Sequence, residues 1–554
     1  MHRCIVLTLA AVLSFAGAAS AADPVMPLSE VRAGMVCTAL SVVHGTEISS
    51  FNAEVLDVIA DDPAAGGARL LVRVSGPAVD ATGVGPGFSG SPIICDGRYA
   101  GAISEGIGEY GNKVVLATPI EAILGARPRA PASARHAPRL LRAARSLAGP
   151  LTVSGLSPRT SRLLTRAAAR VDRTVLAAPP GPLGGYAPQQ LVPGAAVSAA
   201  LSTGDISLGA VGTVAYRDGD QVFAFGHALD GLGRRSLFMQ DSYVFGVIGN
   251  PVGVPDFGAM TYKLASSGGH PLGEITNDTF AAIAGTLGTE PASIPLRVTA
   301  RRRGSADRVA LDSRLADERP LDLGAGLSLV APLAASTALD RLQGSLEPVA
   351  LTACVRFRVR ELGKPIGFCN PYFDGFTPLS DVAEAAAMVD EFDLAPLHIR
   401  GSAVSMEVTG AFADDVIVGA RGPRRARAGS AVPVRVALRR RGGGSRTLTV
   451  QVPVPSGLQP GVRTLVIEGN GFPADEEDIL LELVGELTGD SGARASAAEP
   501  RSAKQLARQV AAVHRPLGIA AHFRRRDSRV VLSSTEVRFD GRARVRLRVV
   551  PARR

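Results

Sequence analysis

A mainly β protein is predicted for this 554-residue chain by three observations. Glycine and proline are abundant, at 62 and 38 residues, and tryptophan is absent. Short valine-rich runs recur between turn signals, as at 55–59 and 70–74, a pattern that suits pleated, half-buried strands. After the amino terminus, no stretch approaches the roughly 20 apolar residues of a membrane helix. At this length several domains are expected, each with its own core.

The elements follow in order. Arg3, an apolar run over 4–18 and Ala19-Ser20-Ala21 predict a signal peptide over 1–22. The mature chain is then exported, to the periplasm, cell envelope or exterior, and is not transmembrane. Residues 23–125 read as a β unit. In it, strands at 93–94 and 100–103 flank an Asp96-Gly97 hairpin turn, and Thr118 is expected to cap a short helix ending at 124. Residues 126–150, rich in Ala, Arg and Pro, read as a linker. In 151–300, Ser157 and Pro158 open a helix running to 170. Strands at 211–216 and 222–225 are joined by a turn containing Asp218-Gly219. The second strand runs straight into Gly226-His227. Residues 301–395 form a β-rich module with a strand at 355–359. Residues 396–470 have the evenly spaced strands of an immunoglobulin-like sandwich, one at 432–438. Residues 471–554 read as a small C-terminal α/β module, with a helix at 502–513 and strands at 529–532 and 543–549.

Charge and cysteine usage narrow the function. The net charge of +9 comes almost wholly from arginine, because only four lysines are present. The arginine-rich stretches near 125–170, 421–446 and 524–554 carry no interleaved aromatics, so a nucleic-acid stacking surface is excluded. They read as solvated strand faces and linkers, with anionic envelope polymers as the alternative partner. Four cysteines remain after the signal, and in an oxidising compartment their spacing favours Cys37–Cys95 and Cys354–Cys369 disulfides. The alternative is four buried free thiols. No Cys/His spacing marks a metal site, and no cofactor is implied.

The chemistry concentrates in Gly85-Pro86-Gly87-Phe88-Ser89-Gly90-Ser91-Pro92. A glycine-flanked serine on a tight loop between strands is a way to present a nucleophile. Gly87 and Gly90 permit backbone angles that other residues avoid, and the N–H groups of Gly87 and Ser89 can converge on a developing oxyanion. A Gly/Ser turn is the bland alternative. A serine needs a base. His44, His227 and His270 are the plausible ones, and His227 stands out at a strand end on a glycine hinge. The alternative for His227 is a packing or turn role.

Residues 87–103, Gly-Phe-Ser-Gly-Ser-Pro-Ile-Ile-Cys-Asp-Gly-Arg-Tyr-Ala-Gly-Ala-Ile, resemble the Gly-Met-Ser-Gly-Ser-Pro block of the SpoIVB-type sporulation serine peptidases. Residues 212–216 and 224–227 resemble the segment carrying that family's catalytic histidine. The resemblance spans about 25–125 and 190–290. It implies a chymotrypsin-like double β-barrel, a serine-bearing barrel over 23–125 and a histidine-bearing one over 151–300, with Ser89 as nucleophile and His227 as general base. Three departures stand out. The serine segment precedes the histidine segment, the reverse of the family order. Gly76 occupies the position of the family's acid, leaving Asp80 and Asp230 as candidates to orient the imidazole. No PDZ-like module is visible. Phe88, where trypsin-like enzymes carry aspartate, predicts no trypsin-style zymogen switch.

Two main readings follow. One is an exported serine endopeptidase acting on a protein or peptide, itself included. The other is a catalytically impaired envelope binding or scaffold protein that retains the barrel. A third, a carbohydrate- or peptidoglycan-binding surface protein, requires exposed aromatics in which this chain is poor.

Overall fold

The computed structural model describes residues 23–551 except 61–66, 108–109, 138–144, 148–150, 171–173, 250–260, 322, 346, 374–376, 470–499, 514–516 and 524–527. The expected signal peptide and parts of the 126–150 linker lie outside the described residues.

Strands β1 (Val36–His44), β2 (Glu47–Ile59), β3 (Arg69–Ser75), β4 (Pro92–Cys95), β5 (Arg98–Gly106) and β6 (Val114–Pro119) form one sheet in the order β4-β1-β2-β3-β6-β5. A further β4–β5 pairing closes it into a six-stranded barrel. Alternation builds its interior: Leu70, Val72 and Val74 on β3 are fully buried. The Asp96-Gly97 turn forms as expected, with both residues at positive φ. Cys37–Cys95 links the paired strands β1 and β4.

One expectation fails here. The short helix α1 (Ile120–Ile123) follows Pro119 and has no side-chain cap. Thr118 instead donates its hydroxyl hydrogen to the carbonyl of Gly226, 2.7 Å away in the second barrel. A bond between barrels takes the place of the local cap.

Strand β7 (Arg145–Ser146) adds to β5, and β8 (Leu151–Ser154) and β9 (Val175–Ala178) flank the helix α2 (Pro158–Arg170). Ser157 caps α2 through the Thr160 N–H, as expected. Six strands then form a second closed barrel: β10 (Ala196–Gly204), β11 (Ser207–Asp218), β12 (Gln221–Ala224), β13 (Gly233–Asp241), β16 (Pro271–Asp278) and β17 (Ile283–Leu287). Their order is β10-β13-β16-β17-β12-β11, closed by a β10–β11 pairing. A separate hairpin of β14 (Val244–Ile248) and β15 (Tyr262–Ala265) reaches back to the first barrel, where Gly45 and Val244 exchange two main-chain hydrogen bonds.

The large sheet continues from β10 through β19 (Arg308–Ala316), β18 (Ser293–Arg302), β22 (Ile399–Gly410), β20 (Ala350–Val359) and β21 (Ile366–Tyr372). Cys354 and Cys369 face each other across β20 and β21 and form the second expected disulfide. Helices α3 (Leu327–Gln343), α4 (Thr377–Asp390) and α5 (Ala503–Ala511) share one core with a face of this sheet, through residues such as Val298, Phe357, Val404 and Leu506.

The carboxy-terminal boundaries differ from expectation. Strand β22, placed by sequence in the sandwich, lies in the large sheet because Val404, Met406 and Val408 bury against that helical layer. The rest makes two sheets around one core. One contains β23 (Ala413–Arg421), β25 (Ala431–Arg440), β26 (Ser445–Pro453) and β30 (Val537–Asp540). The other contains β24 (Arg425–Arg427), β27 (Gly461–Gly469), β28 (Gly518–His522), β29 (Arg529–Ser533) and β31 (Arg542–Val550). Strands expected in two modules thus pair with each other, β23 with β30 and β27 with β31. Among the described residues no helix is long and apolar enough to cross a membrane.

Candidate active site

The serine loop joins β3 to β4. Gly87 and Gly90 have φ of +94° and +90°, where an L side chain is strained. The loop spends most of its own amides. The N–H of Phe88 donates to Gly85 O at 3.0 Å, Ser91 to Phe88 O at 2.9 Å and Gly90 to Ile103 O at 2.7 Å. The N–H groups of Gly87 and Ser89 bond to no described residue. Phe88 is fully buried and meets Phe51 edge-on at 6.4 Å between centroids. Where an ion-pairing aspartate would release the loop, an aromatic anchor holds it in the barrel core.

The histidine follows β12. Phe225 and Gly226 both have positive φ, +71° and +68°. For a bulky residue that is a strained backbone, held by the burial of the Phe225 ring. Gly212 makes room for the ring, since a Cβ there would lie 2.4 Å from Phe225 Cδ1. The ring centroid is 5.8 Å from that of His227. Nδ1 of His227 lies 2.6 Å from Ala228 O. A carbonyl only accepts, so this contact places the proton on Nδ1 and the lone pair on Nε2. Burial pushes the imidazole down to about 4, against the opposing pulls of the Ala228 carbonyl, Asp278 and the Leu147 backbone. At neutral pH the ring is therefore uncharged and able to take a proton.

The two segments meet. Thr213 N–H on β11 donates to Ser89 O at 2.8 Å. Gly90 bonds Ile103 O, and a Cβ on Gly226 would stand 3.1 Å from that same oxygen. Ser89 is fully buried and His227 is 6% exposed. Ser89 Oγ and His227 Nε2 are both buried with no hydrogen-bond partner, and no bond joins them. Buried polar atoms are nearly always paired, so an orphan calls for a reason such as catalysis. Catalytic hydrogen bonds are often long without substrate and tighten when it binds.

Neither candidate acid touches the ring. Asp80 is exposed and pairs with Lys113 at 3.2 Å. Asp230 accepts from Arg235 at 2.6 Å. Gly76, in the family's acid position, has φ +124°, a conformation aspartate adopts only under strain. His227 is oriented by a backbone carbonyl instead. Of the other histidines considered, His44 ends β1, and His270 pairs with buried Asp241 at 2.9 Å.

Two residues of this site escaped the sequence. Asp278, at the end of β16, is fully buried and accepts the N–H groups of Leu229, Asp230 and Gly231 at 2.7–2.8 Å. It shapes the loop behind His227. Lys263 on β15 is buried, and its Nζ donates to Ser41 Oγ at 2.7 Å and Thr213 Oγ1 at 3.3 Å. Ser91 donates to Ser41 at 3.0 Å, and Thr213 donates to Gly87 O at 3.0 Å. Burial alone pushes the amine down to about 7. The signal was present: a rare lysine inside the apolar run Tyr262-Lys263-Leu264-Ala265.

No family model, curated protein or solved structure matches this chain. Among the described residues no three or more His, Cys, Asp or Glu side chains are grouped as metal ligands would be.

Proposed function

We propose that this chain is an exported serine endopeptidase of the SpoIVB type, with Ser89 as nucleophile and His227 as general base. The observation that carries the reading is the pair of buried, unpartnered atoms, Ser89 Oγ and His227 Nε2, on two docked six-stranded barrels. The two disulfides are compatible with export. In this reading Ser89 Oγ attacks the scissile carbonyl carbon of a protein or peptide and passes its proton to His227 Nε2. The N–H groups of Gly87 and Ser89 stabilise the oxyanion. The intermediate collapses to an acyl-enzyme as His227 protonates the leaving amine. Water then attacks the ester, again with His227 as base, and frees Ser89. The reversed chain order is no obstacle, because a triad is defined by geometry.

The second reading, a binding or scaffold protein with an impaired site, is favoured by one observation: no described carboxylate contacts His227. Loss of that group costs about 10⁴-fold in turnover where it has been removed. Burial of Ser89 adds that a substrate must displace what covers it.

A fluorophosphonate probe decides between them. Labelling of Ser89 that is lost in His227→Ala supports the peptidase. A protein that never labels, with native stability retained, is the scaffold.

A further inference from the structure

The outer face of the large sheet carries a second, unassigned feature. Its inner face is covered by α3, α4 and α5, but its outer face is open over a cavity of about 700 Å³. Arg297 on β18 pairs in register with Ala403 on β22, and Ala403 pairs with Arg356 on β20. Two residues along β20, Arg358 pairs with Gly401. A valley of two small residues therefore runs along β22 with arginines on both sides. Neighbouring strands are about 4.8 Å apart, so the walls stand about 10 Å apart. The Arg358 guanidinium lies close over Gly401, where a Cβ would stand 2.9 Å from its Nη2.

The charge in the valley is not balanced. Arg314 pairs with Glu290 at 2.7 Å, and Arg297 with Asp312 only at 3.8 Å. Arg356 and Arg358 are exposed and have no acidic partner among the described residues. At the end of β18 and just past it, by contrast, Arg301 and Arg303 are both paired with Glu407. Asp312 on the cavity wall serves Arg297, and Arg356 and Arg358 are left without an acid among the described residues.

We propose that this valley binds an acidic segment of a protein in extended conformation, as a recognition site for the substrate of the reading above, on which that role rests. Arg356 and Arg358 are two residues apart on a strand, about 6.8 Å, the spacing of alternate side chains in an extended peptide. Aspartate or glutamate at every second position therefore meets both guanidiniums, each able to hold a carboxylate by two hydrogen bonds. Pro295, Pro365 and Leu183 offer apolar contact to the residues between. Among the described residues no aromatic side chain lines the cavity, so bases have no stacking platform there.

The test uses the full chain with Ser89→Ala, so that binding is read without cleavage. A fluorescent peptide of alternating aspartate and alanine is compared with its asparagine counterpart by anisotropy. The acidic peptide binds, the asparagine peptide does not, and R356E/R358E weakens binding by about tenfold or more. Equal binding of both peptides, an unaffected R356E/R358E, or tighter binding of dextran sulfate at matched charge overturns the proposal. Fluorophosphonate labelling is read separately, on the parent chain with Ser89 intact. Failure of the acidic peptide to bind a chain whose Ser89 labels therefore refutes the valley alone, and a chain that binds the peptide but never labels refutes the peptidase alone.

Discussion

The serine loop and the histidine loop are held by opposite means. The serine loop is fixed from within and from the neighbouring barrel by main-chain contacts that only glycine allows. Gly90 is the extreme case: its absent Cβ would lie 1.9 Å from Thr213 O. The histidine loop is fixed from behind, by one buried carboxylate that collects three amides, and it carries a strained phenylalanine at its hinge. Steric exclusion of side chains fixes one loop, and a long-range polar anchor fixes the other. The first kind of support is intolerant of added atoms, the second of removed ones.

The largest effect expected from that contrast is in the serine loop. Gly90→Ala places a methyl against the main chain of β11 at a φ of +90°. The cost is about 3 kcal/mol or more, from overpacking and backbone strain together. Urea unfolding measures it. A Gly90→Ala protein as stable as the parent breaks the comparison, because the barrels would then be docked more loosely than these contacts require.

Asp278→Ala tests the other side. It leaves three N–H groups without their acceptor, at about 2–3 kcal/mol. The loss is expected to be local. Amide hydrogen exchange accelerates at 229–231 while the amide of Gly90 keeps its protection. If exchange rises equally in both loops, the two are one cooperative unit and the contrast is lost.

The same difference decides what the sequence could reveal. Gly87, Ser89 and Gly90 are neighbours in the chain, so the serine loop was legible as a unit, and so was His227 on its glycine hinge. Valine-rich runs and turn signals located six of the twelve barrel strands, and the count and spacing of the cysteines located both disulfides. Asp278 lies 51 positions from His227 in number, and its role depends on β16 lying beside the loop, which no local pattern encodes. Lys263 depends likewise on a hairpin folding back to the first barrel. The carboxy-terminal boundaries failed for a related reason. A strand's alternation shows that it has a buried face, and not which sheet it joins. Hence β22 went to the large sheet, and β30 and β31 joined strands more than 70 residues earlier.

A pH-dependent effect is expected at the seam between the barrels, behind the serine loop. Lys263 touches the serine loop through Thr213 and Gly87, and it reaches Ser41 and Phe88, with its amine 4.4 Å from the Phe88 ring centroid. Its folded value is near 7, against an unfolded value near 10.4. Between about pH 7 and 10 the unfolded chain binds the extra proton, so stability rises with pH across that window and is lost as pH falls through 7. The limiting slope from one such group is about 1.4 kcal/mol per pH unit. Lys263→Met removes the titrating group while Ser41, Ser91 and Thr213 still bond one another. Unfolding measured from pH 7 to 9.5 is therefore steeper with pH in the parent than in Lys263→Met. Parallel profiles mean that the amine is solvated and the barrels part at this seam. A flattened profile with unchanged Ser89 labelling at pH 9 assigns Lys263 to holding the loop and leaves proton transfer to His227.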